Sequence, residues 1–134
     1  MNVLYLAAIA FPVMFVLDLL WIGLIGNGFY RSQLGSLMRQ DIAWPAALAF
    51  YVIYAAAVAF FVVAPAVEAR SIVQALLAGA FLGLAAYAAY DLTNAATLKG
   101  WPLAVTFVDL AWGTAVTAVT SVAAYFIATR FLGF

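Results

Sequence analysis

Apolar residues fill four long segments of the chain, and polar residues collect in the short stretches between them. Each segment holds about 20 mostly apolar residues, enough for a helix to cross the hydrocarbon core of a bilayer. We therefore predict spanning helices over residues 3–26, 45–64, 72–94 and 103–129, within a single transmembrane domain of residues 1–134. The second segment carries no charge and is expected mainly to pack against its neighbours.

The connecting stretches contain signals for the ends of helices. Apolar residues recur at helical spacing within residues 27–43, which predicts a short helix lying in the membrane interface. The alternative is an amphipathic surface turn with no binding role. Pro65 is expected to end the second spanning helix, because proline lacks the N–H group that continues a helix. Gly100 suits the left-handed conformation at the end of a helical turn, and Pro102 suits the first turn of the next helix.

The composition indicates that lipid is the solvent. Of the 134 residues, 70% are hydrophobic and 7% are charged, whereas about a quarter of the residues in a soluble domain are charged. The predicted fold class is an all-α integral membrane four-helix bundle, with membrane lipid as a partner. The net charge of zero argues against a nucleic-acid partner, because binding to phosphates requires a basic surface.

The chain contains neither cysteine nor histidine. Disulfides, thiolate nucleophiles, His-ligated haem and metal centres built on Cys or His are therefore excluded, and no cofactor is expected. A bound metal would have to be a hard cation held by oxygen ligands. Acid–base chemistry would have to use aspartate, glutamate, lysine or tyrosine.

Three aspartates, Asp18, Asp91 and Asp109, lie within the predicted spans. Counting along the helices at about 1.5 Å per residue puts all three in the same half of the bilayer. A carboxylate in hydrocarbon costs at least about 2.5–3.5 kcal/mol, so we expect the three to face one shared pocket. The predicted ligand or ion pocket consists of Asp18, Trp21, Tyr90, Asp91, Asn94, Lys99, Thr106, Asp109 and Trp112. The alternative is a structural network in which Arg31 and Lys99 pair with the aspartates and fix the helix register.

A stripe of small residues marks one face of the third segment. Ala75, Gly79 and Gly83 recur every four residues, and the same ladder continues through Tyr87 to Asp91. Such a stripe allows a second helix to approach closely in lipid. We expect that second helix to belong to the same bundle, with a dimer interface as the alternative.

Four segments carry a resemblance to a known family: residues 18–23 (DLLWIG), 90–94 (YDLTN), 98–102 (LKGWP) and 108–113 (VDLAWG). They resemble the bacterial predicted membrane proteins grouped as domain of unknown function 2177. The resemblance extends over nearly the whole chain and is most specific at residues 90–102. It implies a bacterial inner-membrane protein with four spans, and it implies no activity.

Three functions are compatible with the predicted pocket. A proton- or cation-coupled transporter or channel would use carboxylates that exchange a proton for a cation or substrate. A lipid-modifying enzyme would use carboxylate acid–base chemistry, or a Mg²⁺ held by Asp18, Asp91, Asn94 and Asp109. A non-catalytic lipid- or pigment-binding subunit of a membrane complex would need only the aromatic and apolar walls. We favour transport, because an enzyme of this size usually shows a recognisable catalytic signature; whether the chain is an enzyme stays open.

The basic residues predict an orientation. Three of them, Arg31, Arg39 and Lys99, lie on the carboxylate side, against Arg70 and Arg130 on the other. By the positive-inside rule this difference of one favours a cytoplasmic carboxylate side. A bundle this small is expected to work as a homo-oligomer.

Overall fold

The structure is a computed structural model that describes residues 3–134. It consists of four long helices: α1 (Val3–Leu37), α2 (Trp44–Glu68), α3 (Ile72–Thr97) and α4 (Leu103–Phe131). All four are long and apolar enough to cross a membrane, which confirms the all-α class and the four spans. Helices α3 and α4 share the most extensive contact, and α1 packs against both α2 and α4.

Helix α1 is longer than the sequence predicts. Its first part, Val3–Leu20, passes into a π-helical turn at Trp21–Gly26 and continues as the helix Asn27–Leu34. The predicted interfacial helix is therefore present, but it extends the first span without an intervening loop. Asn27 and Gly28 have low helix propensity, yet both lie within the helix Asn27–Leu34.

Helix α2 passes through Pro65, so the expectation that this residue ends the helix is wrong. A π-helical turn at Ala59–Val63 lies directly before the proline, and the helix resumes as Ala64–Glu68. A proline inside a regular α-helix removes one hydrogen bond and clashes with the carbonyl four residues earlier. The wider π-helical turn changes that spacing, which lets the chain continue as a helix past the ring.

The small-residue stripe packs against α4, as expected for a contact within the bundle. A Cβ atom added at Gly83 would lie 2.1 Å from the carbonyl oxygen of Gly113, and one added at Gly79 would lie 2.6 Å from Ser121 Oγ. Only residues without a side chain permit this approach. After α3, Gly100 has the expected left-handed conformation, with a φ of 71°. Helix α3 ends at Thr97, three residues beyond the predicted end, and Pro102 precedes the first residue of α4.

The buried face of α1 leads from an apolar core to a carboxylate. Leu6, Ala10, Met14 and Asp18 follow one another at four-residue spacing, and all four are buried. The first three belong to a core that occupies the half of the bundle away from the other aspartates. The core residues from α2 and α4 are Tyr54, Ala55, Val58, Ala59, Val63, Ala64, Val67, Val116, Ala124 and Ala128. Asp18 therefore points into the bundle, at the boundary between its dry half and its polar half.

Candidate functional site

A partly open cavity of about 490 Å³ lies in the polar half of the bundle. Its volume is within the range of about 300–1,000 Å³ that is typical of small-molecule sites. Eight of its sixteen lining residues are aromatic, two are aspartates, and none of these sixteen is a lysine or an arginine. We call it the aromatic cavity. Its lining residues are Asp18, Trp21, Ile22, Asn27, Tyr30, Leu34, Met38, Phe50, Tyr51, Ala86, Tyr87, Tyr90, Trp101, Val105, Asp109 and Trp112.

Asp18 is held on the cavity wall by two neutral hydrogen-bond donors. The hydroxyl of Tyr51 on α2 donates to one carboxyl oxygen at 2.8 Å, and Trp112 Nε1 on α4 donates to the other at 2.8 Å. Hydrogen bonds of this kind offset part of the cost of removing a carboxylate from water. They leave its negative charge uncompensated, because neither donor is a cation.

Asp109 is bonded by a residue of the extended part of α1. The hydroxyl of Tyr30 donates to Asp109 Oδ1, and Trp21 Nε1 donates to the hydroxyl of Tyr30 at 3.3 Å. Gly26 makes this arrangement possible, since a Cβ atom there would lie 3.0 Å from the Tyr30 ring and 3.1 Å from Trp21 Nε1. The helical continuation of α1 past residue 26 is therefore what brings a donor to Asp109.

The similar segments DLLW (residues 18–21) and DLAW (residues 109–112) form one unit in space. The indole rings of Trp21 and Trp112 are stacked, with their centroids 4.7 Å apart and their planes at 11°. Trp112 bonds directly to Asp18, and Trp21 reaches Asp109 through Tyr30. The tryptophan of each segment thus supports the aspartate of the other, which couples α1 to α4.

Asp91 lies behind the cavity wall, against Asp109. Its side chain is fully buried, and neither carboxyl oxygen receives a hydrogen bond from a donor among the residues that the structure describes. Asp109 is the acidic side chain that interacts with Asp91, and a proton on either carboxyl group would allow a hydrogen bond between them. We call these two residues the carboxylate pair. A single shared proton would turn their mutual repulsion into a hydrogen bond.

Five of the nine predicted pocket residues line the cavity: Asp18, Trp21, Tyr90, Asp109 and Trp112. The other four do not line it. Asp91 is the buried member of the carboxylate pair, and Thr106 accepts a hydrogen bond from Trp101 Nε1 at 3.0 Å. Asn94 is half-buried outside the lining, and Lys99 is exposed.

Several lining residues were not predicted from the sequence, above all Tyr30 and Tyr51, which donate to the two cavity aspartates. Tyr51 belongs to the segment that was expected mainly to pack. A usable signal did exist there, because Tyr51 and Tyr54 are the only hydroxyl groups of a charge-free span. A polar group in such a span is expected to face the protein.

The basic residues do not bond to the cavity aspartates. Arg31 donates instead to the side chain of Asn27 at 3.0 Å, and Lys99 is exposed, so neither takes the role that the ion-pair alternative assigned to it. Among residues 3–134, no three acidic side chains come close enough together to hold a metal ion. The magnesium alternative at Asp18, Asp91 and Asp109 therefore lacks its ligand set.

Comparison with known proteins supports the resemblance noted in the sequence. No curated protein matches the chain, and no solved structure matches it either. A family model described as "Predicted membrane protein (DUF2177)" matches residues 2–126. That range includes all four DUF2177-like segments and every residue of the aromatic cavity. The chain therefore belongs to this family of predicted membrane proteins, domain of unknown function 2177.

Proposed function

We propose that this protein is a proton- or cation-coupled transporter and that the aromatic cavity is its substrate site. The observation that carries the proposal is the carboxylate pair. Asp91 is fully buried without a hydrogen-bond donor among the described residues, and its neighbour Asp109 lines the cavity. One member of the pair is thus sealed inside the protein, and the other faces the space that a substrate would occupy.

Such a pair can link a proton to a substrate. Two adjacent carboxylates in a medium of low dielectric constant are stabilised when they hold one proton between them. A cationic substrate beside Asp109 would stabilise the pair instead, so the substrate and the proton would compete for the same charge. The titratable side chains that interact with the pair are Tyr30 from α1 and Tyr87 and Tyr90 from α3. These are phenols, which carry no positive charge to take the substrate's place.

The two halves of the bundle also support transport. The aromatic cavity is partly open, whereas the other half is filled by fully buried apolar side chains such as Leu6, Val58 and Val63. A carrier that alternates its access has this form when it is open on one side and closed on the other. To release substrate on the other side of the membrane, the helices of the apolar half would have to separate while the cavity closes.

The experiment is proton flux in proteoliposomes, measured with a trapped pH-sensitive dye under imposed proton and cation gradients. We expect flux with the unchanged protein and a loss of about tenfold or more with Asp109→Asn and with Asp91→Asn. Asp41→Asn is the matched control, because Asp41 is exposed in the connection between α1 and α2. The proposal fails if nothing moves under any gradient, or if all three variants carry the same flux.

A lipid-binding role is the second candidate, and a specific observation favours it. Ile22 and Phe50 line the cavity and are also exposed on the outside of the bundle by 46% and 45%. An amphiphile could therefore enter between α1 and α2 from the lipid. Mass spectrometry of lipid that co-purifies tests this role, as a bound accessory lipid or as the substrate of a lipid-modifying enzyme. An enzyme that acts on lipids with an anionic head group would need a basic side chain in the cavity, and Lys99 lies outside the lining.

A further inference from the structure

We propose that the ligand of the aromatic cavity is a hydrophobic organic cation, such as a quaternary ammonium compound. This inference deepens the proposed transport function and rests on the same site. It starts from the charge of the cavity wall. Asp18 and Asp109 both line the cavity, and the sixteen described lining residues include no basic side chain. Each carboxylate is held by neutral donors only.

The basic residue nearest in sequence to the cavity-lining residues does not bond to either cavity aspartate. Arg31 follows Tyr30 directly, and its Nε donates to Oδ1 of Asn27, a lining residue. Arg31 itself is exposed and is not part of the lining. An anionic ligand would meet two carboxylates with no cation in the wall to offset them. A neutral ligand would leave those charges buried without a counter-ion, which is costly in a membrane. When the carboxylates are ionised, a positively charged ligand completes the site electrostatically, and a proton on the carboxylate pair is its competitor.

The residues that line the cavity favour an organic cation over a metal ion. Hard metal ions in proteins take six or so oxygen ligands, and half of this lining is aromatic. Among residues 3–134, no group of three acidic side chains is arranged to hold a metal ion. Aromatic rings instead attract cations that have shed their water, because the ring face is electron-rich, and they bind quaternary ammonium groups in many proteins. Trp21, Trp112 and Tyr87 are among the rings available.

The shape of the cavity favours a ligand with an apolar part. Its volume of about 490 Å³ is large for a bare ammonium ion and suits a small organic molecule. The exposed lining residues Ile22 and Phe50 form an apolar edge toward the lipid. A hydrophobic cation that partitions into the bilayer could enter by that edge and bring its charge to Asp18 and Asp109.

The test compares a cation with a neutral compound of the same shape and with an anion. Phenyltrimethylammonium and tert-butylbenzene differ only in a positively charged nitrogen in place of a carbon atom, and benzenesulfonate adds a negative charge. Binding is measured by titration calorimetry on the protein in nanodiscs of zwitterionic lipid, with empty nanodiscs subtracted. We expect phenyltrimethylammonium to bind about tenfold or more tightly than either of the other two. Because this comparison uses the unchanged protein, it does not depend on whether any variant folds.

Variants then assign the binding to the cavity. Asp109→Asn is expected to weaken phenyltrimethylammonium binding about tenfold or more and to leave tert-butylbenzene binding unchanged. Asp41→Asn carries the same substitution outside the cavity and should bind like the unchanged protein. Equal affinity for the cation and its neutral isostere would overturn the proposal. So would binding of Na⁺ or Mg²⁺ to a protein that does not bind the organic cation.

Binding and flux are measured separately, so the substrate class and the transport function can fail independently. If the cation binds and no flux is found in proteoliposomes, the substrate class stands and transport fails. If Asp109-dependent proton flux is found while phenyltrimethylammonium binds no better than tert-butylbenzene, transport stands and the substrate class fails.

Discussion

Gly83→Ala is expected to force helices α3 and α4 apart. The added Cβ atom would lie 2.1 Å from the carbonyl oxygen of Gly113, whereas ordinary contact begins near 3.4 Å. The nearest atom is backbone, so no side chain can turn away, and the helices must separate by about 1.3 Å. Overpacking of this kind typically costs about 1–3 kcal/mol. The change also reaches the carboxylate pair, since Asp91 lies on α3 and Asp109 on α4.

The assay is equilibrium unfolding of the purified protein in mixed micelles of a mild detergent and increasing dodecyl sulfate. The control is Gly28→Ala, since a Cβ atom at Gly28 would have nothing within 4 Å. Both substitutions introduce the same methyl group into a helix, so only the contact with α4 separates them. A Gly83→Ala protein as stable as the control, within about 0.5 kcal/mol, would refute the close approach of α3 and α4.

Four further substitutions test side-chain contacts inside the bundle. Trp112→Phe removes the donor to one oxygen of Asp18 and is expected to lower the free energy of unfolding by about 1–3 kcal/mol, measured as above. Tyr54→Phe and Thr117→Val each break a buried hydrogen bond of 2.9 Å; the double variant should cost less than the sum of the two, because no unpaired group remains. Gly26→Ala crowds the Tyr30 ring at 3.0 Å and should weaken phenyltrimethylammonium binding by about 0.5–1.5 kcal/mol, the cost of an off-rotamer ring.

Each of these has its own control. Trp44→Phe is the same change at a tryptophan outside the cavity, and it should alter the free energy of unfolding by less than about 0.5 kcal/mol. If both variants lose the same stability, the bond from Trp112 to Asp18 does not stabilise the protein. Strictly additive costs in the Tyr54 and Thr117 cycle would show that the two hydroxyls do not bond to each other. Gly28→Ala is again the control for Gly26→Ala. If the two variants bind phenyltrimethylammonium with equal affinity, Gly26 does not make room for the Tyr30 ring.

The sequence predicted four spans and three aspartates that turn inward, for physical reasons. It did not predict that Asp91 lies behind the cavity wall. Uninterrupted apolar segments of spanning length leave few alternatives to helices in lipid. The high cost of a buried carboxylate made it safe to expect Asp18, Asp91 and Asp109 to turn inward. The stripe through Gly79 and Gly83 likewise pointed to a close contact, because glycine leaves space that another helix can fill.

The lining of the cavity was harder to predict. Periodicity shows which residues share one face of a helix, but a helix that is apolar on all sides gives little indication of which face meets a neighbour. For this reason Tyr51 was not recognised, while Asn94 and Lys99 were included because of their neighbours in the sequence. Tyr30 was missed for a different reason: the π-helical turn at Trp21–Gly26 keeps α1 helical through residues of low helix propensity.

The most direct test of a negatively charged, solvent-accessible cavity inside the bundle is the reactivity of cysteines introduced at neighbouring positions. The chain has no cysteine of its own, Ala86 lines the cavity, and Ala85 is exposed on the outside of α3. We predict that Ala86→Cys reacts with a trimethylammonium thiosulfonate reagent about tenfold or more faster than with its sulfonate counterpart, while Ala85→Cys in a bilayer reacts with neither. Protection of Ala86→Cys from both reagents, or equal rates with the two, would contradict the presence of such a cavity.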